Sequence, residues 1–390
     1  MYITRPLSYY KKSPDSLFVP PPEGPNSGYL VIQDEESLMP SCFGRSKSLS
    51  IDDLPLPSNK ILSVSYTDDG DEILAVPVIG QPLSSNRYYA IKAHKKHKGE
   101  AYACSKDEDR RVSCGGSSIR DVKPRPLDPD DIYQQFEFEY SMKITCTTNN
   151  GYIIKSVATD GHIPRFLRNT SPLQIQRSTA NSKDFILEEA NGLDTSLRKH
   201  LPSFNFSLSR APPEPVCVGK WYCPFMFIHD AKLKDQMNNS VYYEMTLEQR
   251  WERIFTAESS YNQGSSVMMD VVVPIQEVAI GGKDAVLVDE RSTGNKVIWF
   301  RSVGNGEQLS IGLNKVIVER MIWEQERVGW VNSDERQVRV IREEEYGGIG
   351  WWAKFGCYVL VERFVLKRMD GSVVLTCDFK HTHQIKTKWE

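Results

Sequence analysis

The chain has 390 residues, of which 40% are hydrophobic and 25% are charged. This composition is typical of a folded globular protein, because chains of low hydrophobicity and high net charge stay disordered. The 48 lysines and arginines are balanced by 51 aspartates and glutamates, which leaves a formal net charge of -3. Such a chain has no overall field that attracts nucleic acid or an anionic membrane surface, so we expect neither partner.

The sequence also contains no targeting or spanning segment. No apolar run reaches the roughly 20 residues that a membrane-spanning helix needs, and the first residues lack the apolar stretch of a secretory signal. The eight cysteines are scattered without tight spacing, which is typical of reduced intracellular thiols. The sequence therefore predicts a cytoplasmic protein without a membrane span, and nothing in it opposes entry into the nucleus.

The first part of the chain is rich in strand signals. Runs of β-branched and aromatic residues occur at residues 29–33, 61–66, 73–79 and 88–93. We expect residues 1–114 to form an N-terminal β-rich lobe, followed by a Gly- and Pro-rich linker at residues 115–129. A long Ser- and Pro-rich loop interrupts this lobe at residues 36–60, and Ser48 in it follows two basic residues in the manner of a kinase substrate.

Residues 130–390 are predicted to form a C-terminal β-rich domain. Further strand signals occur at residues 221–228, 268–273, 297–301, 316–323 and 338–342. The predicted fold class is therefore a β-rich α+β protein, with antiparallel, sandwich-like sheets, few short helices and long loops. It ends in a long C-terminal β-hairpin.

Three short helices are expected. The best defined is residues 247–257, because Thr246 and Gln249 form a capping box at its start. Its apolar face is formed by Leu247, Trp251, Ile254 and Phe255. A second helix is expected to start at Asp128-Pro129-Asp130-Asp131 and to continue through Ile132, Tyr133 and Phe136, and a shorter one is expected after Asp194.

The predicted C-terminal hairpin pairs residues 356–368 with residues 373–386. The second strand alternates apolar and polar residues, so one of its faces is expected in the core and the other in water. Asp370 and Gly371 suit a two-residue turn whose central positions need positive φ. This turn sets the register between the two strands.

In that register, Arg363 lies opposite Asp378 on the wet face as a pair of opposite charges. On the core side, Leu360 lies opposite His381 and Phe364 lies opposite Cys377. A three-residue loop would instead place Glu362 against Asp378, which brings two like charges together. The two-residue register is therefore the favoured one.

The core side of the hairpin carries groups that bind metals or move protons. They are Tyr358, Glu362, Cys377, His381 and His383. One interpretation is a metal or acid–base site with Glu362, Cys377, His381 and His383 as candidate ligands. The interpretation that we favour is a polar margin of the core, in which the histidines pair with Glu362 and Tyr358. The spacing C-x-x-x-H-x-H on one strand is not an established ligand pattern.

Several strings resemble a plant-specific family known as domain of unknown function 1262. They are the residues 1–8, 20–35, 127–136, 242–251 and 364–372. The resemblance implies a plant origin and a connection with stress or defence responses, and it brings no reaction, cofactor or catalytic residue. The chain itself contains no P-loop, dinucleotide fingerprint or nucleophile elbow, so no cofactor and no catalytic residue are predicted.

Two functions of different classes remain open at this point. The first is a non-enzymatic cytoplasmic protein that binds a protein partner or a small ligand through its sheet faces or long loops. The alternative is a metal-dependent enzyme or hydrolase that uses the hairpin face with Tyr358, Glu362, Cys377, His381 and His383. We favour the first.

Overall fold

The structure is a computed structural model that describes residues 1–38, 50–65, 71–113, 116–141, 150–168, 172–178, 185–259, 265–288, 296–304, 308–331 and 335–390. Ser48 lies outside these residues. The chain forms two compact units. The first consists of Met1–Ala190 and Tyr222–Tyr242, and the second consists of Asn191–Trp221 and Tyr243–Glu390. Residues 116–129 of the predicted linker are part of the first unit.

Strands dominate both units, which confirms the predicted β-rich fold class. They are β1 Tyr2–Pro6, β2 Gly28–Ile32, β3 Leu62–Ser65, β4 Asp71–Pro77, β5 Arg87–Lys92, β6 Arg110–Ser113, β7 Gly116–Ile119, β8 Gln135–Ser141, β9 Gly151–Ser156, β10 Gln174–Arg177, β11 Gly192–Leu193, β12 Val216–Pro224, β13 Ile228–His229, β14 Tyr242–Glu258, β15 Ser266–Pro274, β16 Gln276–Ile280, β17 Lys283–Val288, β18 Val297–Ser302, β19 Ser310–Asn314, β20 Gln337–Glu345, β21 Lys354–Arg368 and β22 Val373–Trp389.

The α-helices within the described residues are few and short. They are α1 Leu7–Lys12, α2 Thr195–His200, α3 Leu233–Asn239 and α4 Lys315–Glu326. Helix α2 confirms the prediction of a helix after Asp194, whose side chain caps it by accepting a hydrogen bond from the Leu197 N–H. Among the helices of the described residues, none has the length and apolar character that crossing a membrane requires.

The first unit is built on an antiparallel six-stranded sheet. Its strand order is β10-β3-β4-β5-β8-β9. One face of this sheet carries buried aliphatic and aromatic side chains, among them Leu62, Tyr88 and Phe136. In the same unit, β1 pairs with β2 in parallel, with Tyr2 opposite Gly28.

The second unit contains the C-terminal hairpin at the centre of an antiparallel sheet. The strand order there is β19-β18-β17-β16-β22-β21-β14, and β15 pairs with β20 as a separate two-stranded ribbon. The predicted register of the hairpin is confirmed, since Arg363 pairs with Asp378, Leu360 with His381, and Phe364 with Cys377. The hairpin extends beyond the predicted ends, to Lys354 and Trp389.

The hairpin turn itself differs from the predicted two-residue type. Gly371 alone in the turn has a positive φ, of 83°, and its N–H donates to the Arg368 carbonyl oxygen at 2.9 Å. This is a three-residue loop closed by a left-handed glycine. A register shift between Leu366 and Lys367 then restores the pairing that a two-residue loop would have produced.

The predicted helix at residues 247–257 is wrong, because these residues lie within strand β14. The strand pairs with β21 from Tyr243 to Glu258, and a bulge lies between Arg253 and Phe255. The extra residue moves the apolar side chains to the other face, so the apolar spacing mimics a helical period. Long-range pairing outweighs the local capping signal here. The predicted burial of Trp251 is confirmed.

Two other elements also differ from prediction. Residues 316–323 were expected as a strand but lie in α4, which begins after Asn314, whose side chain accepts a hydrogen bond from the Val316 N–H. The helix expected to start at residues 128–131 is a single 3₁₀ turn at Ile132–Gln134, after which β8 begins. At residues 316–323 the β-branched and aromatic content was a poor guide to the backbone, and at residues 128–136 the capping signal was.

Candidate functional site

Strands β14, β21 and β22 present two polar faces, because alternate residues of a strand point to opposite sides. We call one the cavity face, which carries Gln249, Trp251, Leu360, Glu362 and His381. We call the other the ionic face, which carries Arg250, Glu252, Arg363, Asp378 and Lys380. Both belong to the second unit.

The cavity face borders a cavity of about 270 Å³. Its other walls come from α2 and from the end of α4. The side chains that matter for its chemistry are Thr195, Arg198, Lys199, Arg327, Glu362 and His381. This volume lies just below the range of roughly 300 to 1,000 Å³ that is typical of ligand pockets, so the cavity has room only for a small molecule.

Arg198 joins α2 to the cavity face. Its side chain is only 5% exposed, whereas the neighbouring residues Leu197 and Lys199 face solvent. Its Nε donates to Glu362 Oε1 at 2.8 Å, and its Nη2 donates to the other carboxylate oxygen. This two-point contact matches the planar fork of the guanidinium to the carboxylate.

Arg198 also binds the end of helix α4. Its Nη1 donates to Glu324 Oε2 at 3.1 Å, and its Nη2 donates to the Glu324 carbonyl oxygen at 2.8 Å. Arg320 donates to the other Glu324 oxygen at 2.6 Å. Arg198 therefore ties two carboxylates from distant parts of the chain into one buried network.

Burial and ion pairing shift the pKa values of the Glu362 and Glu324 carboxyl groups in opposite directions. For Glu362, burial opposes ionisation, but the hydrogen bonds and charge of Arg198 outweigh it and lower the pKa. For Glu324, burial raises the pKa despite the three arginines Arg320, Arg198 and Arg327 around it. A buried charge network of this kind depends on every partner being present.

His381 is fully buried beside this network. Its Nε2 lies 3.0 Å from Gln325 Oε1 and 3.9 Å from Glu362 Oε2. Burial lowers the pKa of His381 to about 4, helped by His383 and Arg198 and opposed by Glu362. The imidazole is therefore neutral at neutral pH, and its Nε2 shares a hydrogen bond with the Gln325 side-chain amide.

Several buried polar atoms of this network have no hydrogen-bond partner in the part of the chain that the structure describes. They include Nδ1 of His381 and Nε2 of Gln325. The Gln249 amide nitrogen donates to Glu362 Oε1 at 2.8 Å and to the Arg198 carbonyl oxygen. Its oxygen, also buried, likewise has no partner among the described residues. Each of these atoms has almost no accessible surface, so it faces packed side chains rather than the open space of the cavity.

The structure brings only some of the sequence candidates together. Glu362 and His381 line the cavity. Cys377 is buried, and burial raises the pKa of its thiol, while His383 is exposed. Tyr358 packs at the edges of the Phe204 and Phe206 rings instead.

The separation of the candidates has a local cause. The pairing of the hairpin passes from Leu360 opposite His381 to Val359 opposite Ile385. Residues 382–384 thus have no register partner, and the strict alternation that would place His383 beside His381 on the core side ends there. Among the described residues there is no group of three or more His, Cys, Asp or Glu side chains with metal-binding geometry.

Sequence reasoning missed most of the polar network. Arg198, Glu324 and Gln325 were not singled out, and Gln249 was interpreted only as a helix-capping residue, because the four residues are far apart in the chain. The one available signal was the period of α4, whose buried residues are Ile317, Arg320, Met321, Glu324 and Gln325. This is a helical stripe that includes three polar positions, and its polar members concealed the amphipathic pattern.

The ionic face is paired more completely. Asp378 accepts from Arg363 Nε at 2.6 Å and from Arg363 Nη2 at 2.8 Å, and from Arg250 at 2.6 Å. Lys380 lies 2.6 Å from Glu252 and 2.8 Å from Glu277. Asp378 and Lys380 are almost fully buried, so this face is not the wet surface that alternation predicted.

A family model matches residues 23–115. It is described as a protein of unknown function (DUF1262), and the matched segment lies in the first unit. No curated protein matches the chain. Among solved structures, the crystal structure of Cry35Ab1 is similar with a TM-score of 0.40 and 12% identity, over 86% of this chain and 90% of that chain. Neither description names an activity or a ligand.

Proposed function

We propose that this chain is a non-enzymatic binding protein whose cavity, beside Arg198, Glu362 and His381, takes one small polar ligand. The observation that carries the proposal is the cavity of about 270 Å³ itself, whose wall includes the polar side chains of Thr195, Lys199 and Gln384. A concave site that combines apolar walls with a few polar groups is the usual form of a small-molecule site.

The chemistry of the lining supports binding over catalysis. His381, with its pKa near 4, is a poor general base at neutral pH. Both Glu362 oxygens already accept hydrogen bonds from Arg198, so the carboxylate is not available as a nucleophile or a metal ligand. The resemblance to domain of unknown function 1262 adds a plant setting and a role in stress or defence to this proposal, and the sequence features described above add a cytoplasmic location.

The test is a thermal-shift screen of the purified protein against small polar metabolites, with two tryptophan variants. Thr195→Trp places a large side chain at the cavity wall, whereas Ser196→Trp makes the same change at the next exposed residue of α2, which does not line the cavity. A compound that binds here raises the melting temperature of the wild type and of Ser196→Trp, and it has no effect on Thr195→Trp. Equal shifts in both variants, or turnover of the compound, would refute the proposal.

A further inference from the structure

The ribbon of β15 and β20 has strand edges that are not paired with another strand. Within the described residues, these two strands pair only with each other. The inner face of the ribbon is buried, and Met269 and Val340 lie in its core. The outer face is open, since the apolar side chains of Met268, Val272 and Ile341 are each more than half exposed.

Strand β20 has none of the features that usually protect an exposed edge. Natural edge strands are kept from pairing with other chains by proline, lysine, a bulge or short length. Strand β20 has nine residues without proline or lysine, and six of them are exposed. Its pairing with β15 runs over all nine positions without a register shift. The edge is therefore long, regular and open to a further strand.

The charges on β20 are complementary to those of a second copy of the same strand. Arg339, Ile341 and Glu343 occupy alternate positions, so their side chains share the outer face. When two copies pair antiparallel with Ile341 opposite Ile341, each Arg339 lies opposite Glu343 of the other copy. No pair of residues in this register brings two like charges together.

Other pairings lack this complementarity. With the two-fold axis one residue later, at Arg342, two arginines lie opposite each other, and with the axis at Val340 no ion pair forms. The other edge of the ribbon is less suitable. Strand β15 contains Asp270 as its single charged residue and ends at Pro274, so two copies of it gain no ion pair. The complementarity is therefore specific to β20 and to one register.

The two charged residues are able to make these contacts. Glu343 is exposed and has no partner in the part of the chain that the structure describes. Arg339 contacts Asp270 through its Nε, at 2.7 Å, and its Nη2, and its side chain is 64% exposed. Because a guanidinium carries five donor hydrogens, its Nη1 can donate to a second carboxylate.

We propose that β20 is a homodimer interface, in which two copies of this chain pair antiparallel across a two-fold axis at Ile341. The pairing joins the two ribbons into one four-stranded sheet and packs the two Ile341 side chains against each other. One strand pair is a small contact, so the dimer is a weak one. No residue of β20 lines the cavity, and this inference is independent of the proposed function.

Sedimentation equilibrium of the full chain over a concentration series measures the dimerisation. Glu343→Arg is expected to weaken it at least about tenfold, because two Arg–Glu contacts become Arg–Arg contacts. Glu345→Arg is the matched control, since it makes the same change on the same face of the strand but lies opposite Gln337. Its dimerisation constant is expected within about twofold of the wild type.

A mixture of two variants tests the pairing itself. Arg339→Glu also weakens self-association, because it places two glutamates opposite each other. When Arg339→Glu is mixed with Glu343→Arg, every contact again joins opposite charges. The mixture is therefore expected to dimerise at a concentration at which each variant alone is monomeric. Circular dichroism verifies the fold of Arg339→Glu, which loses its contact with Asp270.

A second measurement does not depend on charge. Ile341→Cys is expected to form an intermolecular disulfide on mild oxidation, because this position lies opposite itself across the axis. Val272→Cys is the matched control, at a similarly exposed position on β15. It is expected to cross-link no more than the wild type, which reports any disulfide of the native cysteines. Non-reducing gel electrophoresis measures both.

The outcomes decide the proposal. A concentration-dependent dimer that Glu343→Arg weakens, that the mixture restores and that Ile341→Cys cross-links supports it. A wild type that stays monomeric up to its solubility limit refutes it, and so does a dimer that Glu343→Arg leaves unchanged. Absence of the Ile341→Cys cross-link refutes it as well, whether or not Arg339→Glu folds. None of these outcomes bears on the cavity, which the ligand screen tests.

Discussion

The cavity face and the ionic face of the same three strands differ in where the partners of their buried charges come from. On the ionic face, the partners come from neighbouring strands, and ion pairs hold Asp378 and Lys380 at 2.6 to 2.8 Å. On the cavity face, Glu362 is paired by Arg198 from α2, which lies 164 positions away in the chain. In that network, His381 Nδ1, Gln249 Oε1 and Gln325 Nε2 are buried without a hydrogen-bond partner among the described residues.

The difference indicates what each face is for. The ion pairs of the ionic face come from its own and neighbouring strands, which stabilises the sheet and sets its register, although Arg250 Nη1 has no partner among the described residues. The cavity face takes Arg198 from α2 and borders a cavity, which makes it the candidate site for a ligand. Four measurements can break or sharpen this contrast.

The largest effect is expected from Arg198→Met. The change leaves Glu362 buried without its cation and Glu324 with one cation fewer, which should cost about 3–5 kcal/mol of unfolding free energy. Urea denaturation measures it, with Lys199→Met as the control at the exposed neighbouring position, expected within about 0.5 kcal/mol of the wild type. Adding Glu362→Gln to the Arg198→Met variant should recover part of the lost unfolding free energy. An unchanged midpoint for Arg198→Met would mean that the network is not formed.

The second effect is a pH dependence of the unfolding free energy, which arises from His381. Its pKa is lowered from 6.5 to about 4 in the folded chain, so between these values the unfolded chain binds a proton that the folded chain does not. Stability therefore falls as the pH falls through this window, by about 3 kcal/mol in total.

The pH dependence is measured as the free energy of unfolding from pH 7 downward. His381→Gln should lose this contribution, whereas His383→Gln, at an exposed position, should keep it. Parallel curves for the wild type and His381→Gln would show that the imidazole titrates normally, and hence that it is not buried as described.

A smaller effect is expected from Asp378→Asn on the ionic face. Asp378 is nearly buried and accepts from two arginines, so losing its charge should cost about 1–3 kcal/mol. The cost stays below that of Arg198→Met because Arg363 is one-third exposed and Arg250 keeps Glu252. If Asp378→Asn costs more than Arg198→Met in the same denaturation series, the contrast between the two faces is reversed.

No effect is expected from metal removal. Glu362 is occupied by Arg198, and His383 and Cys377 do not line the cavity with His381, so thermal melts should be the same with chelator and with added zinc. The double variant His381→Ala with His383→Ala should be destabilised equally in both conditions. If chelator lowers the melting temperature of the wild type but not that of the double variant, the alternative function as a metal-dependent enzyme would be supported.

The sequence by itself determined the regular parts of this protein. The β-rich class, the helix after Asp194 and the register of the C-terminal hairpin follow from alternation, capping and the pairing of Arg363 with Asp378, all of which are properties of near neighbours or of one hairpin. The turn shows that the pairing of the two strands constrains the hairpin more strongly than the type of turn does. The loop has three residues rather than two, and a bulge restores the pairing.

Only the tertiary structure decided the rest. Residues 247–257 became a strand because β21 offers a partner along their whole length, which outweighs a local capping box. Helix α4 was concealed because its buried stripe includes Arg320, Glu324 and Gln325. Those polar residues are buried only because Arg198 and His381 meet them from distant segments. A site built from such long-range contacts leaves no local pattern in the sequence. Each of its residues is a polar type that is normally found on the surface, and only the folded structure shows that it is buried.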